Sequence, residues 1–161
     1  MDNIMVILHV LAAILLIGPV TISTSMFAPQ FRRAIAGDAA AKGALRILAG
    51  ITRTYGYISL LVPVLGIAAW FTVEGAMQRY NFHAAILLAV IAWVLLVAVV
   101  IPKQRVAVLA AGAQEPGDDP ATPGEEEKLR DVDVDKIPGQ AAMFGGIFNL
   151  LWFITAVLMF F

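Results

Sequence analysis

Cysteine is absent from this sequence. That excludes disulfides, thiolate metal sites and cysteine nucleophiles, and it leaves the redox compartment open, because a chain without thiols suits either regime. Charge is scarce too, at 14% of residues where an ordinary soluble domain carries about a quarter. The net charge of −1 does not mark a general nucleic-acid binder. Catalytic signatures are missing: there is no G-x-S-x-G, no glycine-rich loop followed by Lys and no H-E-x-x-H. Histidine occurs at two positions, His9 and His83.

What the chain does have is apolar surface. Sixty per cent of its residues are hydrophobic and the mean hydropathy is +0.84, more than one soluble core of this size can hide. Charged residues mark where such a chain can leave a membrane, since each costs about 2.5–3.5 kcal/mol at a helix centre. Four stretches contain none: Asn3 to Phe31, Thr54 to Val73, Tyr80 to Pro102 and Ile137 to Phe161. Each reaches the roughly 20 residues that span hydrocarbon. Trimming polar and proline-rich ends predicts spans over 4–26, 55–73, 82–101 and 142–160. The fold class expected is all-α, a polytopic membrane protein with four transmembrane helices in an up-down bundle. The first span is expected to remain in place. A signal peptide begins with basic residues and ends on a small-residue cleavage site, whereas this chain opens Met1-Asp2-Asn3 and places Phe27 in the segment Ser25-Met26-Phe27-Ala28.

Positive charge sets the orientation. The connection between spans one and two carries Arg32, Arg33, Lys42, Arg46 and Arg53, and that between three and four carries Lys103, Arg105, Lys128, Arg130 and Lys136. Of the eleven basic residues, Arg79 alone falls on the opposite side. The pattern predicts a membrane protein with both termini on the outer face. Lipid is then its first partner.

The two basic connections differ in character. Residues 28–54 read as a basic cytoplasmic helical connection, with Asp38 as N-cap and the helix running on into span two. In the other, Lys103 to Gln114 reads as a frayed extension of span three. Residues 115–138 hold nine acidic residues and four prolines, a composition too polar to offset its own ordering entropy. This predicts a flexible acidic loop unless a partner holds it, with Glu125, Glu126 and Glu127 as candidate contacts on a basic partner surface.

Few residues in the spans carry chemistry. None is Asp, Glu, Lys or Arg, which argues against a proton pump or ion-coupled carrier built from this chain alone. Neutral imidazole ligates haem iron and metals, so His9 is a candidate cofactor-binding residue for haem b in an alternative reading, while the main expectation is no cofactor. The structural use of His9 is a hydrogen bond to a neighbouring helix. No metal site is expected from two histidines without carboxylates. Gly18, Pro19, Pro63 and Gly66 are expected to kink spans one and two. Gly145, Gly146 and Asn149 are expected to bring span four close to a neighbour, with the amide bonding across the interface.

Several strings resemble a family of small bacterial integral membrane proteins of unknown function. They are Leu8-His9-Val10-Leu11-Ala12-Ala13 with Gly18-Pro19, the segment Arg53 to Gly66, the charged loop, and Gly145 to Met159. That resemblance covers most of the chain and brings no settled activity with it. The first string is also similar to the start of copper-resistance-type and protoporphyrinogen-oxidase-type four-helix membrane proteins, which implies haem contact for His9. This chain departs from them by lacking ionisable residues in its later spans. In size and hydrophobicity it is similar to accessory subunits of actinobacterial cytochrome bcc–aa3 supercomplexes. The function expected is therefore a non-catalytic accessory or scaffolding subunit that contacts other membrane protein subunits, with no nucleic acid and no small-molecule substrate. A small b-type haem protein using His9 and an oligomeric transporter-like module are the alternatives.

Overall fold

A computed structural model describes residues 3–72, 75 and 78–160. Every regular element among them is helical. Span one comprises α1 (Asn3–Ala12), a wide π turn (Ala13–Ile17) and α2 (Gly18–Ile35); span two comprises α3 (Ala39–Ile58) and α4 (Leu61–Thr72). Span three is α5 (Tyr80–Leu95), a second π turn (Leu96–Val100) and α6 (Ile101–Ala110). A short α7 (Pro123–Asp131) and a 3₁₀ turn (Val134–Lys136) lead into span four, α8 (Ile137–Leu158). The predicted end of span two at Val73 lies outside the described residues.

All four helices are long and apolar enough to cross a membrane. Neighbours in the chain are neighbours in space, and α2 also packs on α8, which closes the up-down bundle. The helices are longer than hydrocarbon requires. Ile4–Ile35 has 32 residues, or about 48 Å at 1.5 Å per residue, against a core of about 30 Å. Spans one, two and three overshoot at the end that carries the two basic connections, here termed the loop side. Their projecting ends pack into a second layer around Phe27, Phe31, Leu45, Leu48, Ala107 and Val108. A separate cluster of Val20, Ala92, Leu96, Val100, Ile101 and Phe148 holds spans one, three and four together deeper in.

Local signals explain the element ends. Asp38 caps α3 by accepting from the Ala41 N–H at 3.1 Å, after a turn in which Gly37 takes φ +96°. The expectation of a frayed end to span three is corrected. Helix α6 is regular to Ala110, because Val106, Ala107 and Val108 are buried and packing outweighs the polar Lys103-Gln104-Arg105 start.

Prolines shape the membrane segments. Each π turn ends just before a proline, Pro19 in one case and Pro102 in the other. The ring has no N–H and crowds the carbonyl four residues back, and a widened turn makes room for it. In span two Pro63 has a different effect. The helix breaks at Ser59 and Leu60, where the Leu60 N–H turns to Tyr57 O and leaves Gly56 O without its usual partner. The Ser59 hydroxyl donates to that carbonyl at 2.7 Å and the Trp93 indole N–H of span three donates at 3.1 Å. Gly56 also lets the spans close: a Cβ there would sit 3.1 Å from Ile101 and Leu96 side-chain carbons.

Spans one and four meet at Gly145, where an added Cβ would lie 3.3 Å from Thr24 Cβ and Thr24 O. One turn on, Asn149 Nδ2 donates to Ser25 Oγ at 3.0 Å. Gly146 faces open space, with nothing within 4 Å of an added Cβ. The contrast sets an expected outcome. Gly145→Val should cost about 1–3 kcal/mol by overpacking, while Gly146→Val should be near neutral, both measured by thermal unfolding in detergent. Equal effects would show that spans one and four are not in contact at this glycine.

Candidate functional site

The sequence expectations converge on His9. Its Nδ1 lies 2.9 Å from Val62 O of span two. A carbonyl only accepts, so Nδ1 carries the proton and Nε2 keeps its lone pair. The ring lies flat enough on span two that a Cβ at Gly66 would come within 2.9 Å of His9 Cε1. Thus Gly66 is needed as a seat for the imidazole. Pro63 and Val62 lie in the same turn and line the cavity beside the ring. Of the kink residues named from sequence, Pro63 and Gly66 adjoin His9, whereas Gly18 has nothing within 4 Å of an added Cβ and Pro19 serves the π turn.

The cavity at His9 holds about 80 Å³, whereas pockets for cofactor-sized ligands hold about 300–1,000 Å³. Its other walls include Ala13, Ala85, Ala89 and Thr155. The cavity beside His9 is below that range in this packing. Trp152 also lines it, and the Trp152 indole N–H is buried without a partner. The lining of this cavity is almost wholly apolar, the character of a dry packing gap.

His83 does not line that cavity. Its Nδ1 lies 3.0 Å from Arg79 O, and its ring meets Trp70 edge-on with centroids 4.9 Å apart. Among the described residues no three of His, Asp and Glu gather as a metal cluster would require.

The acidic segment is the largest departure from the sequence expectation. Over 115–138 a flexible loop is expected, and the structure instead places a helix at Pro123–Asp131. The physical reason is a complete capping box: Glu125 N–H donates to Thr122 Oγ1 at 3.3 Å, and Thr122 N–H donates to Glu125 Oε2 at 2.8 Å. Pro123 opens the helix, Glu125 and Glu126 sit in its first turn, and Lys128 and Arg130 sit in its last, each matched to the helix dipole.

The basic surface for this segment belongs to the same chain. Arg46 pairs with Glu115 and with Asp118, Arg53 reaches Asp119 at 3.5 Å, and Arg105 reaches Glu125 at 3.4 Å. Arg105 also donates to the carbonyls of Asp119 and Pro120. Single exposed pairs are worth little, about 0–1 kcal/mol, but these share three arginines over one short segment. Glu125 is thereby used within the chain, while Glu126 and Glu127 remain exposed. The sequence signal for this was available in Thr122-Pro123-Gly124-Glu125, a capping-box pattern hidden by the acidic composition around it.

No family model matches the chain, and no curated protein or solved structure matches it either. The resemblances therefore rest on the quoted strings alone.

Acid should release α7. The Thr122 N–H bonded to the Glu125 carboxylate holds that carboxyl below its usual 4.5, with the Thr122 hydroxyl and Arg105 adding to the effect against partial burial. A depressed folded value means that the contribution is complete above 4.5 and is lost as pH falls through the lower folded value. A spin label at Glu126 should report an immobile helix at neutral pH and mobility only in acid below 4.5. Glu125→Gln should weaken the immobile state already at neutral pH. A label that is mobile throughout, or a transition centred above 4.5, would show that the box does not hold α7.

Proposed function

We propose that this chain is a non-catalytic accessory or scaffolding subunit of a larger membrane assembly in a bacterial plasma membrane. The observation that supports this reading is the outer half of span one. Helix α1 packs on α4 as its one extensive interhelical contact, and only 6% of the apolar stretch of span one is buried within the chain, against 33% for span three. Ile7, Leu11, Ile14 and Leu15 form an apolar ridge on it. Lipid solvates such a ridge without penalty, but association in a membrane is driven by close packing and interhelical bonds, and a rigid outrigger helix presents a surface for both. The small cavity at His9 gives the haem reading no support of its own.

The test is purification of the tagged chain in mild detergent, with mass spectrometry of its neighbours. Stoichiometric subunits of other sequence are expected, and Leu11→Ser with Leu15→Ser should deplete them while the bundle itself stays folded. Haem absorbance in the co-purifying chains would identify a respiratory assembly of the cytochrome bcc–aa3 type. A chain that purifies alone as a monomer would sink the subunit reading, and one that purifies only with itself would favour the oligomeric module.

Orientation follows from the same charge bias: both termini outside, the loop side in the cytoplasm. Since the native chain has no thiol, single cysteines report cleanly. A cysteine at Met1 should react with an impermeant reagent in intact cells, and one at Gly117 should not. Labelling at position 117 from outside would reverse the topology.

A further inference from the structure

A cavity of about 860 Å³ lies on the loop side between the end of span three, α7 and the start of span four. Its walls change character along its length. Phe27, Ala98, Val100, Ile137 and Phe144 make an apolar floor, and Ala98 is itself exposed on the surface of span three. Lys103, Glu127, Lys128 and Asp131 make a charged rim. A cavity that is greasy at one end and charged at the other is shaped for an amphiphile.

Two observations narrow the chemistry. Gln104 also lines the cavity, is 4% exposed, and has a buried Oε1 with no hydrogen-bond partner. An unpaired buried acceptor is costly, so a turn of the Gln104 amide toward the cavity to meet an occupant that brings an N–H or O–H donor is favoured. The rim charges are balanced and largely free. Glu127, Lys128 and Asp131 form no ion pair with a described residue, whereas Asp133 is already held by Lys136 at 2.8 Å. Lys103 donates to Gln140 Oε1 at 2.8 Å and lies 5.3 Å from the centre of the Phe144 ring. Its ammonium has further donors to give.

The geometry points to a binding site for one aminophospholipid, a zwitterionic headgroup of phosphate and primary ammonium with an acyl chain along the apolar floor. Lys103 and Lys128 take the phosphate. Glu127, Asp131 and the Gln104 carbonyl take the ammonium. The position fits the ligand's own depth in a bilayer, since the cavity sits where span three leaves hydrocarbon at Pro102 and Lys103. The site is lined from α7, so it exists only while the acidic segment is folded onto the chain.

The full chain in nanodiscs of phosphatidylethanolamine, phosphatidylglycerol and phosphatidylcholine in equal parts, with matched acyl chains, provides the test. Native mass spectrometry after release should find one phosphatidylethanolamine held per chain. Phosphatidylcholine is the sharp control, because its methylated ammonium has no N–H for Gln104. Gln104→Leu should lower retention by at least about fivefold, the scale of one hydrogen bond. Should that variant fail to fold, exposed Glu127→Gln asks the same question and should also reduce retention. Leu150→Ala, on the membrane-facing surface, should leave it unchanged. Soluble phosphoethanolamine at millimolar concentration should not displace the lipid, since it lacks the chain that fills the floor. Retention in proportion to nanodisc composition, preference for phosphatidylglycerol, displacement by the free headgroup, or indifference to both Gln104→Leu and Glu127→Gln would each overturn the assignment.

Discussion

The structure depends on the apolar core of the loop-side layer, because it is the part of the bundle that water helps to assemble. Within hydrocarbon the lipid is as apolar as the side chains, and no hydrophobic force draws helices together. Beyond hydrocarbon that force returns. Phe27, Phe31 and Leu45 are fully buried there, each worth about 1.5–3 kcal/mol relative to exposure. Their packing joins spans one, two and three, and Ile137 brings in the start of span four. The membrane segments then extend from a common base, with their register already set.

From that base downward the governing constraint is that every backbone group in lipid must find a partner. The prolines release carbonyls, and neighbouring spans answer. Pro63 leads to the break at Ser59 and Leu60, and the carbonyl left at Gly56 draws Trp93 from span three. His9 from span one bonds the carbonyl of Val62 in the turn just beyond. Kinks and interhelical bonds are thus one feature here: each local defect in span two specifies which neighbour sits against it. In span one the π turn before Pro19 absorbs its proline internally, and α1 keeps α4 as its main neighbour.

The acidic segment shows the same economy in the aqueous layer. Arg46 and Arg53 come from α3 and Arg105 from α6, helices that the apolar core has already positioned. The acidic residues need only fold back onto them. Because α7 closes one wall of the large cavity, this electrostatic latch also decides whether the lipid site has a rim. Packing, charge pairing and ligand binding are therefore stacked in order, each resting on the one before.

Charge-free runs and hydropathy were enough to determine that the chain is all-helical and has four helices long and apolar enough to cross a membrane, because the cost of a charge in hydrocarbon is large and local. Asp38 and the alanine-rich stretch after it likewise announced the start of α3, since capping is read within a few residues. The sequence also singled out Gly145, Gly146 and Asn149 as close-approach types, but only the fold could separate Gly145, pressed on Thr24, from Gly146, which faces open space. The use of Trp93, the seat that Gly66 makes for His9 and the partners of the acidic segment were decided by tertiary structure alone. Each joins residues tens of positions apart, and no periodicity links them. Composition misjudged 115–138 for the same reason: disorder was inferred from a lack of apolar side chains, while the order comes from a four-residue cap and from arginines that only the folded bundle brings within reach.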